Sequence, residues 1–183
     1  LLAADSWTVI NREMIPALDE VGKGFEAGTV FLPQLLMSAE AARAAFGIMK
    51  EKMTKDGVER ANRGAVILAT VKGDIHDIGK NIVRTVLENY GFRIVDLGRD
   101  VSAERVVEAV RQYGAKIVGL SALMTTTVPS MEKTIARLHE NGLHVPVIVG
   151  GAVLTPDYAK KIGADYYAKD AKQSADIAKS ILG

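Results

Sequence analysis

The sequence predicts an α/β protein with a doubly wound, five-stranded parallel sheet in the order 2-1-3-4-5, preceded by a small helical-bundle cap. From Ala65 onward, short apolar runs of strand length alternate with segments whose apolar residues recur at helical spacing. Residues 1–56 show helical spacing alone, which is typical of a bundle. Apolar strands that alternate with helices are typical of parallel sheets with helices on both faces, so we expect a flavodoxin-like domain.

The helical part contains two apolar stripes. Gly28 suits the end of the first helix, and Pro33 suits the first turn of the next. Two helices are few for a stable bundle, and the chain starts at Leu1 rather than Met, so we expect a truncated cap within a longer polypeptide. Residues 57–64 predict a linker to the domain at residues 65–183. The stripes consist of Met14, Leu18, Val21 and Phe25, then Leu35, Ala39, Ala42, Phe46, Met49 and Met53.

The α/β part contains five predicted strands. Helical stripes follow the first three strands, and Ser102 is placed to cap the second of these helices. A closing helix is predicted over Gln173–Leu182. The strands are the apolar runs Ala65–Val71, Arg93–Leu97, Lys116–Ser121, Val145–Val149 and Ala164–Tyr167.

Composition excludes several classes of function. The 23 basic and 22 acidic residues give a net charge of +1, which disfavours nucleic acid or an anionic membrane as a partner. The chain has no cysteine, so disulfides and thiolate metal sites are excluded. No long apolar segment or signal peptide is visible, and we expect a cytoplasmic protein.

Three loops at strand ends predict one binding crevice. The first strand runs into Gly73–Gly79, the third into Ser121–Thr125, and the fourth into Gly150-Gly151. In sheets of this type, ligands bind beyond the carboxyl ends of the strands, near the switch in strand order. The order 2-1-3-4-5 makes these three strands neighbours, so their loops line the same crevice.

The first loop contains a metal-ligand pattern, Asp74-x-His76-x-x-Gly79. A neutral imidazole is a good ligand for cobalt, and a carboxylate two residues away can accept the proton of its other ring nitrogen. An isolated Asp-x-His is more often a helix-capping carboxylate beside an incidental histidine. The longer spacing arises by chance about once in 100 chains of this size, and here it falls at a strand end.

These residues resemble a known signature. Asp74-x-His76-x-x-Gly79, Ser121-x-Leu123 and Gly150-Gly151 together look like the B12-binding motifs of methionine synthase, corrinoid methyl-carrier proteins and B12-dependent mutases. Gly73–Val83 and the cap segment Phe25–Gln34 are both similar to methionine synthase, and the mutases lack this cap. The resemblance covers most of the chain.

The resemblance implies base-off, His-on methylcobalamin, with the nucleotide tail in a slot of the α/β domain and His76 as the lower axial ligand of cobalt. Asp74 and Thr127 are implied to complete a catalytic relay behind His76. Asn11 stands where methionine synthase has a glutamate near the corrin. The remaining implied cofactor contacts are Phe25, Leu32, Gly73, Ile75, Asp77, Gly79, Ser121, Leu123, Thr125, Gly150, Gly151 and Ala171.

The implied function is methyl carriage in a B12-dependent methyltransferase. Methionine synthase is the leading interpretation, and a stand-alone corrinoid protein of a methylamine or methanol system is the alternative. The implied partners are methyl-donor and methyl-acceptor methyltransferase domains or proteins and a reductive activation partner. Activating a thiol acceptor generally needs a zinc-thiolate site, which a chain without cysteine lacks. We therefore expect an enzyme only in the sense of a cofactor-carrying part.

Three other classes are weaker alternatives. An adenosylcobalamin mutase domain shares the Asp-x-His loop but not the segment Phe25–Gln34. A B12-dependent regulator needs a DNA-binding domain, which the near-neutral charge does not support. A receiver-type signalling domain needs an aspartate at the end of the third strand, where this chain has Ser121.

Overall fold

A computed structural model describes residues 9–55 and 64–183 of the chain. The described residues divide into two compact units. The first, the helical unit, contains residues 9–55 together with Glu88–Gly91, and the second, the α/β unit, contains residues 64–87 and 92–183. In these stretches no helix combines the length and the apolar character that crossing a membrane requires.

The helical unit contains the two predicted helices. A π-helical turn, Ile10–Met14, leads into α1 (Ile15–Glu26), and α2 spans Leu32–Lys55. Gly28 lies between the helices and Pro33 in the first turn of α2. The first eight residues of the predicted cap and residues 57–63 of the predicted linker lie outside the described residues.

The α/β unit confirms the predicted fold class. Its five strands are parallel and lie in the order β2-β1-β3-β4-β5. The elements are β1 (Ala65–Thr70), α3 (Ile78–Asn89), β2 (Arg93–Asp96), α4 (Ala103–Tyr113), β3 (Ala115–Ser121), α5 (Val128–Glu140), β4 (Val147–Gly150), α6 (Pro156–Lys161), β5 (Tyr166–Tyr167) and α7 (Ala171–Leu182).

The strand bounds differ slightly from the prediction, and one helix is additional. The fifth strand is only two residues long, because its predicted first half lies in the turn after α6. Helix α6 was not predicted, since six residues are too few to display helical periodicity. Its start is nevertheless encoded locally, because Thr155 accepts a capping hydrogen bond from Tyr158 N–H and Pro156 occupies the first turn. Ser102 caps α4 as predicted.

Burial explains why the central strands read as apolar runs. All six residues of β1 are buried, because helices cover both faces of a parallel sheet. Thr70, the last residue of β1, pairs with Ser121 of β3, and Ser121 in turn pairs with Gly150 of β4. The three loops predicted to line one crevice therefore leave the sheet side by side.

A buried ion pair joins the start of α3 to the end of β2. The Lys80 ammonium is buried and donates to Asp96 Oδ1 at 2.6 Å and to Asn81 Oδ1 at 3.0 Å. Asp96 also accepts hydrogen bonds from the Gly98 amide and from Arg84. Burial opposes the charge of Asp96, but the hydrogen bonds and charge of Lys80 outweigh it and lower the pKa of the carboxyl. The pair holds α3, which directly follows the predicted metal-binding loop.

Asp96→Asn should destabilise the protein by about 3 kcal/mol at neutral pH, because it leaves the buried Lys80 ammonium without a counter-charge. Because folding lowers the pKa of Asp96, this carboxylate stabilises the native state at pH values above the ordinary carboxyl pKa. The stabilisation is lost as the pH falls below about 4. The variant should therefore lose less additional stability in acid than the natural chain. Urea unfolding between about pH 2.5 and 7 measures both effects.

Lys80→Met is the matched control. It leaves Asp96 with hydrogen bonds from Gly98 and Arg84, so its cost at neutral pH should be smaller than that of Asp96→Asn. Two variants of equal stability, with acid profiles parallel to that of the natural chain, would contradict this account of the pair.

Candidate functional site

The site is organised around the buried carboxylate of Asp74, in the loop after β1. Asp74 Oδ1 accepts hydrogen bonds from the His76 amide at 2.9 Å and from His76 Nδ1 at 2.8 Å. Asp74 Oδ2 accepts from the amides of Leu123 at 2.7 Å and Met124 at 3.3 Å, and from Thr127 Oγ1 at 2.9 Å. One carboxylate thus joins its own loop to the loop that follows β3.

The hydrogen bonds to Asp74 determine its charge. Burial alone would raise the pKa of this carboxyl, but the donors from His76, Leu123 and Thr127 together hold the pKa well below its usual range. Asp74 is therefore ionised at physiological pH. An ionised carboxylate only accepts hydrogen bonds.

The charge of Asp74 in turn determines the tautomer of His76. Because Asp74 Oδ1 accepts, the proton of the neutral imidazole resides on Nδ1, and Nε2 retains its lone pair. The His76 side chain is 46% exposed, so a ligand can reach it. An imidazole oriented by a carboxylate is well suited to bind a metal through Nε2.

Thr127 lies at the position before α5 where a hydroxyl often caps a helix, but its side chain makes no capping hydrogen bond. Its buried hydroxyl instead lies 2.9 Å from Asp74 Oδ2 and 2.8 Å from the Met124 carbonyl oxygen. The single hydroxyl proton can satisfy one acceptor at a time. The structure therefore brings together the three residues of the predicted relay, His76, Asp74 and Thr127.

The ends of β1, β3 and β4 carry small and hydroxyl-bearing residues. Thr70 is buried, and its hydroxyl lies 2.9 Å from that of Ser121. A Cβ atom on Gly151 would overlap the carbonyl group of Ala122, and Gly151 has a φ of 143°, which favours glycine. A Cβ on Gly150 would lie 3.0 Å from the Ala168 carbonyl oxygen. Both glycines thus allow the chain's own backbone segments to approach each other.

Exposed apolar side chains accompany the imidazole. Ile75 is 61%, Ile78 76% and Leu123 42% exposed, although large aliphatic residues are usually buried. Gly79 faces open space, since nothing lies within 4 Å of where its Cβ would be. Such a surface suits a broad, partly apolar ligand that covers the loop and the start of α3.

At this site the described residues present Nε2 of His76 as an exposed, oriented nitrogen ligand. Among them, no group of three or more histidine, cysteine, aspartate or glutamate side chains could hold a metal ion. An exposed, oriented imidazole suits a metal that arrives with its other ligands, as a metal held in a macrocycle does. The site fits the cobalt of a corrinoid, which His76 would hold through Nε2.

Comparison with known proteins agrees with this geometry. The family model described as "B12 binding domain" matches residues 64–176, and a second model with the same description matches residues 4–50. The chain belongs to the B12-binding domain family. Its cofactor is cobalamin.

Relatives of this B12-binding chain include corrinoid proteins of methyltransferase systems. Dimethylamine corrinoid protein 1 of Methanosarcina acetivorans is 42% identical over 97% of this chain and 84% of the relative. A cobalamin-binding protein from Desulfitobacterium hafniense, solved by crystallography, has a TM-score of 0.85 and 33% identity over 97% of this chain and 83% of its own. The methanol:cobalamin methyltransferase complex MtaBC from Methanosarcina barkeri has a TM-score of 0.82 and 33% identity. The match covers 97% of this chain and 68% of the matched chain in that complex.

These relatives correct the leading interpretation of the sequence. They support a stand-alone corrinoid protein better than a module of methionine synthase. The coarser prediction is confirmed, since corrinoid proteins are the cofactor-carrying components of methyltransferase systems. The shared motif around His76 could not separate the two, because both kinds of protein bind cobalamin through it.

The other predicted contacts of this B12-binding protein lie in both units. Phe25 belongs to α1, Leu32 begins α2, and Asn11 lies in the π-helical turn, so all three are in the helical unit. In the α/β unit, Asp77 precedes α3, exposed Thr125 follows β3, and Ala171 begins α7. The cofactor contacts of these residues remain predictions.

Sequence reasoning missed several residues of the site. Thr70 could have been found from the sequence, because it is a hydroxyl residue at the end of the otherwise apolar strand β1. Ile78 was missed because an apolar residue at a helix start normally indicates packing. Asp100, which contacts the loop before Asp74, gave no signal, because aspartate is common in turns.

Gly151→Ala should destabilise the apoprotein by about 2–3 kcal/mol, because the added methyl group meets the Ala122 carbonyl and the backbone conformation disfavours a side chain. Gly79→Ala is the matched control, because its methyl group enters open space in a helix and should stabilise the apoprotein by about 0.5 kcal/mol. Urea unfolding of both variants measures the difference. If Gly151→Ala and Gly79→Ala were equally stable, the close approach between Gly151 and the Ala122 carbonyl would be wrong.

Proposed function

We propose that this chain is a stand-alone corrinoid methyl carrier that serves a methylamine methyltransferase. The observation that carries the proposal is the pair of His76 and Asp74, which leaves the exposed imidazole with a free Nε2 lone pair. The similarity to a dimethylamine corrinoid protein over nearly the whole chain supports the choice of substrate system. Its 42% identity exceeds the 33% identity to the methanol complex, so a methylated amine is the favoured class of donor.

In the proposed role, His76 would hold the cobalt of the cofactor through Nε2. Bound cobalamin supplies the cobalt centre that accepts and releases the methyl group. The protein's part is to hold the proton on Nδ1 while Nε2 is a ligand. The Asp74 carboxylate, 2.8 Å from Nδ1, holds the imidazole ring in place for this role. Thr127 orients that carboxylate from the opposite side.

The remaining residues are proposed to seat the cofactor. Ile75, Asp77 and Leu123 would lie along the corrin, with Gly73 and Gly79 leaving room for it. Phe25 and Leu32, in the helical unit, are further proposed cofactor contacts. The nucleotide tail would enter beside Ser121, Thr125, Gly150, Gly151 and Ala171.

Substrate activation is assigned to other proteins. The chain has no cysteine, and its described residues form no metal-binding cluster, so an acceptor thiol cannot be activated on a zinc-thiolate site within them. We propose separate methyl-donor and methyl-acceptor methyltransferases and a reductive activation partner as its partners. The carrier must expose its cofactor to each partner in turn.

His76→Gly, reconstituted with methylcobalamin, should change the visible absorption spectrum, because the cobalt loses its imidazole ligand. Free imidazole added at millimolar concentration should restore part of the original spectrum by occupying the vacated position. His139→Gly is the control, since that exposed histidine lies at the end of α5 and should leave the spectrum unchanged. An identical spectrum for natural protein and His76→Gly would rule out axial ligation by His76.

The donor is tested by mixing the cobalamin-loaded chain, with reduced cobalt, with dimethylamine and a dimethylamine methyltransferase. The spectrum should convert to that of the methylated cofactor within minutes. Methanol with a methanol methyltransferase should give slower conversion. Conversion by the folate module of methionine synthase alone, with no response to either amine or methanol systems, would contradict the proposal.

A further inference from the structure

One residue outside the motif has an unusual backbone conformation beside the site. Asp100, in the loop between β2 and α4, has a φ of 56° and is the only non-glycine residue with positive φ in residues 9–55 and 64–183. This left-handed region is disfavoured for residues with a side chain, and aspartate and asparagine tolerate it best. A conformation of this kind persists when surrounding contacts hold it.

Those contacts all reach one short segment. Asp100 Oδ1 accepts a hydrogen bond from the Gly73 amide at 2.8 Å, and Asp100 Oδ2 accepts from Lys72 Nζ at 3.0 Å. The Asp100 amide donates to the main-chain carbonyl of Asp74 at 3.0 Å. Lys72, Gly73 and Asp74 are thus all bound to a single residue, immediately before the loop reaches His76.

Asp100 makes both kinds of contact, side-chain and main-chain, while in the left-handed conformation. The amide and the carboxylate of Asp100 bind the same segment. Within that segment, Gly73 also has a left-handed backbone, with a φ of 88°. The neighbouring residues Val71 and Val101 form an isolated parallel bridge. The bridge and the hydrogen bonds of Asp100 thus both join these two loops.

We propose that Asp100 is a positioning residue for the axial histidine: by holding Gly73 and the Asp74 backbone, it fixes where the Asp74 carboxylate meets His76. The inference rests on the proposed role of His76. The Asp74 carboxylate has to meet donors on two loops at once, His76 on one side and Leu123, Met124 and Thr127 on the other. A displaced Asp74 backbone cannot satisfy both sides.

The backbone contacts, rather than the ion pair, carry this effect. Lys72 and the Asp100 carboxylate are both exposed, and exposed ion pairs contribute little because water screens them. The Gly73 amide and the Asp74 carbonyl, in contrast, are fixed main-chain groups. Removing the charge of Lys72 should therefore leave the geometry of the site unchanged. Removing the Asp100 carboxylate, which accepts from the Gly73 amide, should change that geometry.

The test compares Asp100→Gly, Asp100→Asn and the control Lys72→Met. Glycine suits the left-handed backbone but removes the acceptor for the Gly73 amide. Asparagine tolerates the same backbone and keeps an acceptor oxygen, although it loses the charge. Neither substitution introduces backbone strain, so both variants should fold, as circular dichroism will verify.

The first readout is amide hydrogen exchange at Leu123 in the apoprotein. The Leu123 amide donates to Asp74 Oδ2 at 2.7 Å from the loop after β3, so its protection reports the position of the Asp74 carboxylate. Asp100→Gly should accelerate this exchange by at least about tenfold. Asp100→Asn and Lys72→Met should stay within about threefold of the natural chain.

The second readout is the spectrum with methylcobalamin. Asp100→Gly should show a smaller histidine-ligated fraction at neutral pH than the natural chain, whereas Asp100→Asn should restore most of it. The inference would be overturned if Asp100→Gly had the same Leu123 exchange rate and the same spectrum as the natural chain. It would also be overturned if Asp100→Gly and Lys72→Met lost the same histidine-ligated fraction.

The two proposals fail separately. If the natural chain shows no histidine ligation, the proposed role of His76 is wrong, and the exchange at Leu123 still decides whether Asp100 positions Asp74. If the natural chain shows histidine ligation and Asp100→Gly equals it in both readouts, only the inference about Asp100 is wrong.

Discussion

A carboxylate without contact with water has to find hydrogen-bond donors within the protein, and Asp74 finds them on two loops. Leaving such a charge unsatisfied would cost several kcal/mol, so the two loops are held where their donors reach it. The same requirement keeps the proton of His76 on Nδ1 and leaves the lone pair on Nε2. Stability and ligand chemistry thus depend on one set of hydrogen bonds.

The sheet makes that arrangement possible. Strands β1 and β3 are neighbours although a helix, a strand and another helix separate them in the chain. Their carboxyl ends therefore deliver Asp74 and Thr127 to the same place from positions 53 residues apart. The Lys80–Asp96 pair holds the helix that follows the His76 loop, and Asp100 binds the segment that precedes Asp74. Contacts on both sides therefore restrict the loop that contains His76.

The site also limits what the chain can do alone. It presents one imidazole, exposed apolar side chains and no further metal-binding cluster among the described residues, which suits holding a corrinoid and not activating a substrate. The motif around His76 is shared by methionine synthase and the corrinoid carriers, so it indicates the cofactor without the substrate. Similarity over nearly the whole chain to a dimethylamine corrinoid protein moved the interpretation to the stand-alone carriers.

The sequence by itself determined the parallel sheet and the pairing of Asp74 with His76, and it predicted that the loops after β1, β3 and β4 line one crevice. These follow from periodicity and from contacts between residues two positions apart, which local spacing defines. Only the tertiary structure decided that Thr127 gives its hydroxyl to Asp74 instead of capping α5, that Thr70 meets Ser121, and that Asp100 holds Gly73. Those contacts join residues 27 to 53 positions apart, and they exist because strand order and register bring particular loop ends to hydrogen-bonding distance.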